Sequence, residues 1–174
     1  MRTVFLQRLN IGAAAWAEVA LYLAPSAALA ALIYALSRRY PIFLLLQLAG
    51  TICHELAHFV VGLLTFAQPA SFSIIPRKSG RTWQLGEVKL ANLRWYNAAP
   101  TALAPFLIIL LPIGVALWRT GPGWRFIPLD AALAFALAPQ FLACWPSMQD
   151  WKLALRSWPY AALLVVLWWF LRKP

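Results

Sequence analysis

The chain has 174 residues, of which 63% are hydrophobic and 11% charged. A soluble domain carries about twice that share of charge, and no polar stretch here is long enough to build its own core, so composition excludes a soluble domain and leaves a single membrane-embedded domain over 1–174. The net charge of +10 falls mostly between apolar segments, where lysine and arginine meet lipid headgroups and set topology; nucleic acid is excluded as a partner on that ground.

Hydropathy predicts an all-α polytopic membrane protein of about five transmembrane helices, with a small β-hairpin between the second and third. The first apolar segment runs from Ala13 to Leu36 and is closed by Arg38, Arg39 and Tyr40. It is too long for a cleaved signal peptide and reads as a retained anchor. The second runs from Ile42 to Phe66, the third from Asn97 to Trp118, the fourth from Leu129 to Trp145 and the fifth from Leu153 to Leu171. At ~1.5 Å per residue the first three suffice to cross a hydrocarbon core of ~30 Å. The last two are interrupted by Pro139, Pro146 and Pro159.

The polar insert 68–96 carries Arg77, Lys78, Arg81, Lys89 and Arg94 against one acid, Glu87. Ser71–Ile75 reads as one strand and Trp83–Leu90 as its partner, joined by a turn over Pro76–Arg81. Trp83 and Leu85 face one way, and after Gly86 the apolar set shifts to Val88 and Leu90, as a one-residue bulge would produce. These four side chains mark a candidate edge strand for binding substrate. An N-terminus on the cytoplasmic side would put nine basic residues there and six on the other side. That bias points to a multi-pass protein of a prokaryotic inner membrane with a cytoplasmic N-terminus.

The second segment contains His54-Glu55-Leu56-Ala57-His58. On a helix, residues four apart share a face, so both imidazoles can reach one metal ion. Glu55 sits about 60° around from His58, placed to take a proton from a water at that metal. These are the only two histidines of the chain, and Glu55 is one of five acids. A charge at mid-membrane costs roughly 2.5–3.5 kcal/mol on insertion scales, which points to function. Gly50 and Gly62 continue the same stripe and would let another backbone come close, as plain helix packing also would.

Catalytic zinc usually has three protein ligands, so one more is needed. The candidates are Glu18, Cys53, Glu87, Asp130, Cys144 and Asp150. Asp150 follows the proline-broken stretch Trp145–Gln149, and unwound backbone at membrane depth is tolerated where it is buried or lines a cavity. That favours Asp150 over Asp130, which opens the fourth segment at the far end. A helix cap or a partnership with Lys152 is the alternative role for Asp150.

With these residues in place the chain resembles the site-2 protease family of intramembrane zinc metalloproteases, over the core 42–155. The resemblance rests on His54–His58 in a membrane helix, the basic β-like insert and the proline-containing turn that ends in Asp150. The stretch Cys144–Trp151 has one proline and no glycine after the Asp, which marks a minimal, divergent branch. Asn97-Ala98-Ala99-Pro100 is similar to a small-residue and proline signature of that family. The resemblance implies one Zn2+ per chain on His54, His58 and Asp150, with Glu55 as catalytic base. It also implies an endopeptidase that cuts membrane-protein substrates in or near their transmembrane segments. The alternatives are a non-catalytic zinc-binding scaffold of the same fold and a prenyl-protein processing protease. The latter class draws its third ligand from a downstream Glu in an E-x-x-x-D setting, which this chain lacks.

Overall fold

A computed structural model describes residues 13–172, apart from 76, 80, 81 and 85. The chain is mostly helical. The first helix, α1 (Ala13–Ser37), buries Val19, Tyr22, Ser26, Ala30 and Ile33 at three- and four-residue spacing, one stripe of a helix otherwise free to face lipid. A tight turn leads to a 3-10 segment, Pro41–Gln47, with proline in its first turn where no N–H is missed, and then to α2 (Leu48–Leu64). The end of α2 is capped by a Schellman arrangement. Ala67 N donates to Gly62 O and Phe66 N to Leu63 O, with Phe66 at φ 60° in the left-handed position.

Two short antiparallel strand pairs follow. β1 (Pro69–Ser73) pairs with β4 (Glu87–Leu90) in the register Ser71↔Lys89, Phe72↔Val88, Ser73↔Glu87. β2 (Arg77–Ser79) pairs with β3 (Thr82–Gln84). The expected single hairpin of Ser71–Ile75 with Trp83–Leu90 is therefore divided. Trp83 belongs to the outer pair, Val88 and Leu90 to the inner one, and Leu85 lies outside the described residues. The register irregularity sits between Pro69 and Ser71 rather than at Gly86. Proline brings no N–H to a ladder, so the irregularity collects at the strand end that carries it.

The next crossing is built in three pieces: α3 (Trp95–Ala102), a 3-10 segment Ala104–Ile109, and α4 (Leu110–Arg119). Pro100, Pro105 and Pro112 each delete one i→i−4 bond and bend the path. α5 (Pro128–Ala143) follows, and then α6 (Met148–Ala154), a 3-10 turn Leu155–Ser157, and α7 (Trp158–Leu171).

Four helical segments are long and apolar enough to cross a membrane: Ala15–Ser37, Pro41–Leu64, Trp95–Arg119 and Met148–Leu171. The expected fourth crossing is the shorter helix Pro128–Ala143, about 24 Å of rise. The last segment starts at Met148 rather than Leu153, because Ser147 caps a helix there.

The contacts between α1 and α5 keep the same order along both helices. Tyr22 meets Asp130, and eight residues on Ala30 clusters with Ala138. The two helices therefore run in the same direction, whereas five alternating crossings would set the first and fourth opposed. Small side chains let the helices meet here: Ala138 of α5 packs against Ala30 and Ile33, and Ala116 of α4 against Val19 and Tyr22. That is how membrane helices approach closely when lipid is as apolar as leucine.

Candidate metal centre

The α2 helix presents Gly50, His54 and His58 along one face, and each meets backbone. A Cβ at Gly50 would lie 2.3 Å from Pro139 O, so only glycine lets α5 come this close. At Gly62 the neighbours are side chains instead, Leu90, Pro69 and Thr101. The approach to α5 brings His54 Nδ1 to 2.7 Å from Ala143 O, and α3 brings Thr101 O to 2.8 Å from His58 Nδ1.

Neither carbonyl carries the helical bond from the residue four positions on, because a helix is broken beside each. In a continuous helix Thr101 O would accept from the N–H four residues on, but that residue is Pro105. Ala143 O would accept from Ser147 N. The helix instead ends ahead of Pro146, and Ser147 N donates to Asp150 Oδ2 at 2.6 Å. Opening that one bond supplies the acceptor for His54 and the donor that orients Asp150.

Asp150 occupies the third position of α6, where Ser147 Oγ accepts from its N–H at 3.2 Å in a reciprocal capping box. Its carboxylate turns inward. Oδ1 lies 3.2 Å from His58 Nε2, and Oδ2 lies 3.5 Å from His54 Nε2. The two Nε2 atoms are 3.2 Å apart. The helix break expected near Trp145–Gln149 is present but shorter, with helix resuming at Met148. The cap and the inward-facing carboxylate, entertained above as alternatives, are held by the same side chain.

This donor set fits a metal. A carbonyl only accepts, so each Nδ1 carries the ring hydrogen and each neutral Nε2 is a bare lone pair. Two such lone pairs and a carboxylate face one point, an arrangement that a metal ion or a shared proton relieves. Zinc with bonds of about 2.0–2.2 Å spaces tetrahedral ligands by about 3.4 Å; the two Nε2 atoms stand 3.2 Å apart, and each has its own carboxylate oxygen, Oδ1 at 3.2 Å from His58 and Oδ2 at 3.5 Å from His54. Among the described residues, His54, His58 and Asp150 form the group of His, Cys, Asp and Glu able to hold a metal ion.

Glu55 and Glu87 line the same cavity of about 590 Å³, which is bounded by α2, β4, the end of α5 and α6. The strand approaches so tightly that a Cβ on Gly86 would stand 2.6 Å from Glu55 Cγ. Val88 and Leu90 also line the cavity. Thr51 and Gln47 continue its polar wall one and two turns before His54.

The remaining candidates lie elsewhere. Asp130 is buried and saturated by protein donors: Arg119 Nε at 2.7 Å and Nη2 at 3.0 Å, Tyr22 OH at 3.0 Å and Ile127 N at 2.9 Å. Cys53 and Cys144 are free thiols, and Glu18 is half-buried on α1.

Sequence reasoning missed Thr101, Ala143, Ser147, Gly86 and Ser157. Ser157 Oγ accepts from Ala99 N at 2.8 Å and donates to Trp95 O, so it stands inside an opened helical bond and ties the α6–α7 segment to α3. Proline four residues after a carbonyl is the signal that could have found Thr101. No protein-family model, curated protein or solved structure matches this chain.

Proposed function

We propose that the chain is an intramembrane zinc endopeptidase that hydrolyses peptide bonds in or near transmembrane segments of other proteins. The observation that carries the reading is the convergence of His54 Nε2, His58 Nε2 and an Asp150 carboxylate on one point, in a cavity that also holds Glu55. A zinc ion held there supplies Lewis-acid chemistry to water and to a scissile carbonyl. Glu55 is the general base: its carboxylate takes a proton from the attacking water and passes it to the leaving amine. Ala143 O and Thr101 O keep both imidazoles in the tautomer that leaves Nε2 free, and Ser147 N holds the Asp150 carboxylate in place.

Membrane helices resist hydrolysis because their amides are bonded internally, so a substrate has to unwind. β4 has one edge paired to β1 and lines the cavity through Glu87, Val88 and Leu90. An extended substrate segment gains main-chain partners by adding to its other edge. In this reading the hairpin and the start of α6 share the cytoplasmic side. Cysteines at Ser79 and Ser147 should label from one side and a cysteine at Gly121 from the other; labelling of Ser79 and Ser147 from opposite sides would overturn this topology.

The deciding experiment is Glu55→Gln, which preserves shape and removes the base. Zinc should remain near one per chain while cleavage of membrane-protein substrates stops. A Gln variant with normal turnover would rule out the peptidase mechanism. A wild type that binds zinc and cleaves nothing would leave the scaffold reading.

A further inference from the structure

We infer that Pro105 is a positioning residue for the metal centre, acting through the Thr101 carbonyl on His58; the inference rests on the metal reading above. Pro105 is fully buried and touches none of the three ligands in any recorded hydrogen bond or ion pair. Its effect is on the backbone. Proline has no N–H to give the carbonyl four residues earlier, and its ring pushes that carbonyl off the helix axis. The carbonyl in question is Thr101 O, and it accepts from His58 Nδ1 at 2.8 Å. Among the described residues His58 Nδ1 meets no other acceptor, so this bond is what holds a hydrogen on Nδ1 against the pull of the Asp150 carboxylate at Nε2. With the hydrogen on Nδ1, the Nε2 lone pair points at Asp150 Oδ1 and His54 Nε2.

The same device operates about one turn earlier in the same crossing, inside α3. Pro100 removes the N–H that Tyr96 O would have used, and Tyr96 O accepts from Tyr160 OH at 2.9 Å. Proline in this segment thus turns a helical carbonyl outward to a neighbouring helix twice, once for a structural tie and once for a ligand. Pro112 is equally buried, and the carbonyl it would free, Ile108 O, meets no side-chain donor among the described residues. It is the natural control.

With Pro105→Ala the N–H returns, Thr101 O closes its helical bond, and His58 loses its acceptor. The test is zinc affinity of the full chain in detergent, measured by competition with a chelating dye, beside the visible spectrum of the Co2+-loaded protein. Pro105→Ala should weaken zinc binding by about 10- to 100-fold, the range for loss of a partner that orients a ligand, and should change the Co2+ bands. Pro112→Ala should leave both near wild type. Replacing residue 105 with lactic acid, an ester that lacks the N–H as proline does, should restore affinity although the ring is gone. A merely structural proline would not be rescued in this way. Wild-type affinity in Pro105→Ala, equal loss in Pro112→Ala, or no rescue by the ester would each overturn the inference while leaving the metal centre standing. A wild type that binds no zinc or Co2+ would overturn the metal reading and this inference with it.

Discussion

Two buried carboxylates, Asp130 and Asp150, sit at the opposite ends of α5, and their surroundings differ in kind. Asp130 receives four protein donors, including both arms of the Arg119 fork. It is a finished ion pair that clasps α1 to the turn between α4 and α5. Asp150 faces two imidazoles anchored through Nδ1 on backbone carbonyls and accepts one N–H from Ser147. One acid is matched by an arginine fork, and the other faces a pair of imidazoles that can share a metal ion with it. Burial alone does not distinguish the two; the kind of partner does.

The sharpest way to break the comparison is to remove each acid in turn. Asp150→Ala should lower zinc affinity by orders of magnitude while the helices stay assembled, as read by metal titration and circular dichroism. Asp130→Ala should keep zinc and lower the melting temperature, because it leaves the Arg119 guanidinium without its partner. Zinc loss from the Asp130 variant instead would reverse the roles. Next in size is Gly50→Ala. The new methyl meets Pro139 O, so α2 must move off α5, and His54 with it from Ala143 O. Overpacking of this kind costs about 1–3 kcal/mol, and both stability and zinc affinity should fall. Gly86→Ala should act more locally. Its methyl meets Glu55 and no ligand, so turnover should drop with zinc content unchanged; a parallel loss of zinc would show that the hairpin holds the ligands as well. The smallest effect belongs to Tyr160→Phe, which removes one partly exposed bond to Tyr96 O. About 1 kcal/mol of stability should go, with zinc affinity untouched.

Much of the candidate centre was legible in the amino-acid order, because its parts have letters. His54, Glu55 and His58 declare a shared helix face, and Pro146 ahead of Asp150 declares a break that can turn a carboxylate inward. The supports were harder to read because they are backbone. Thr101 and Ala143 contribute carbonyls that any residue could provide, and only the proline at position 105 or the helix end near Pro146 shows that those carbonyls are free. Gly86 was legible as a glycine in a strand, but its cause is the approach to Glu55 rather than a bulge. The direction of α1 relative to α5 was not legible at all. Both are apolar with small residues on one face, and hydropathy records length and depth but not which helices lie together. The division of the hairpin escaped for a related reason: alternation continues through Ile74 and Ile75, where pairing stops.

The most direct test of the centre is zinc K-edge absorption on the purified, zinc-loaded chain. The arrangement calls for two imidazoles and a carboxylate oxygen at about 2.0–2.2 Å and no sulfur, with the imidazole signal lost in a His54→Ala, His58→Ala double variant. A sulfur shell near 2.3 Å, which would bring Cys53 or Cys144 to the metal in place of Asp150, or a chain that takes up no zinc, would contradict it.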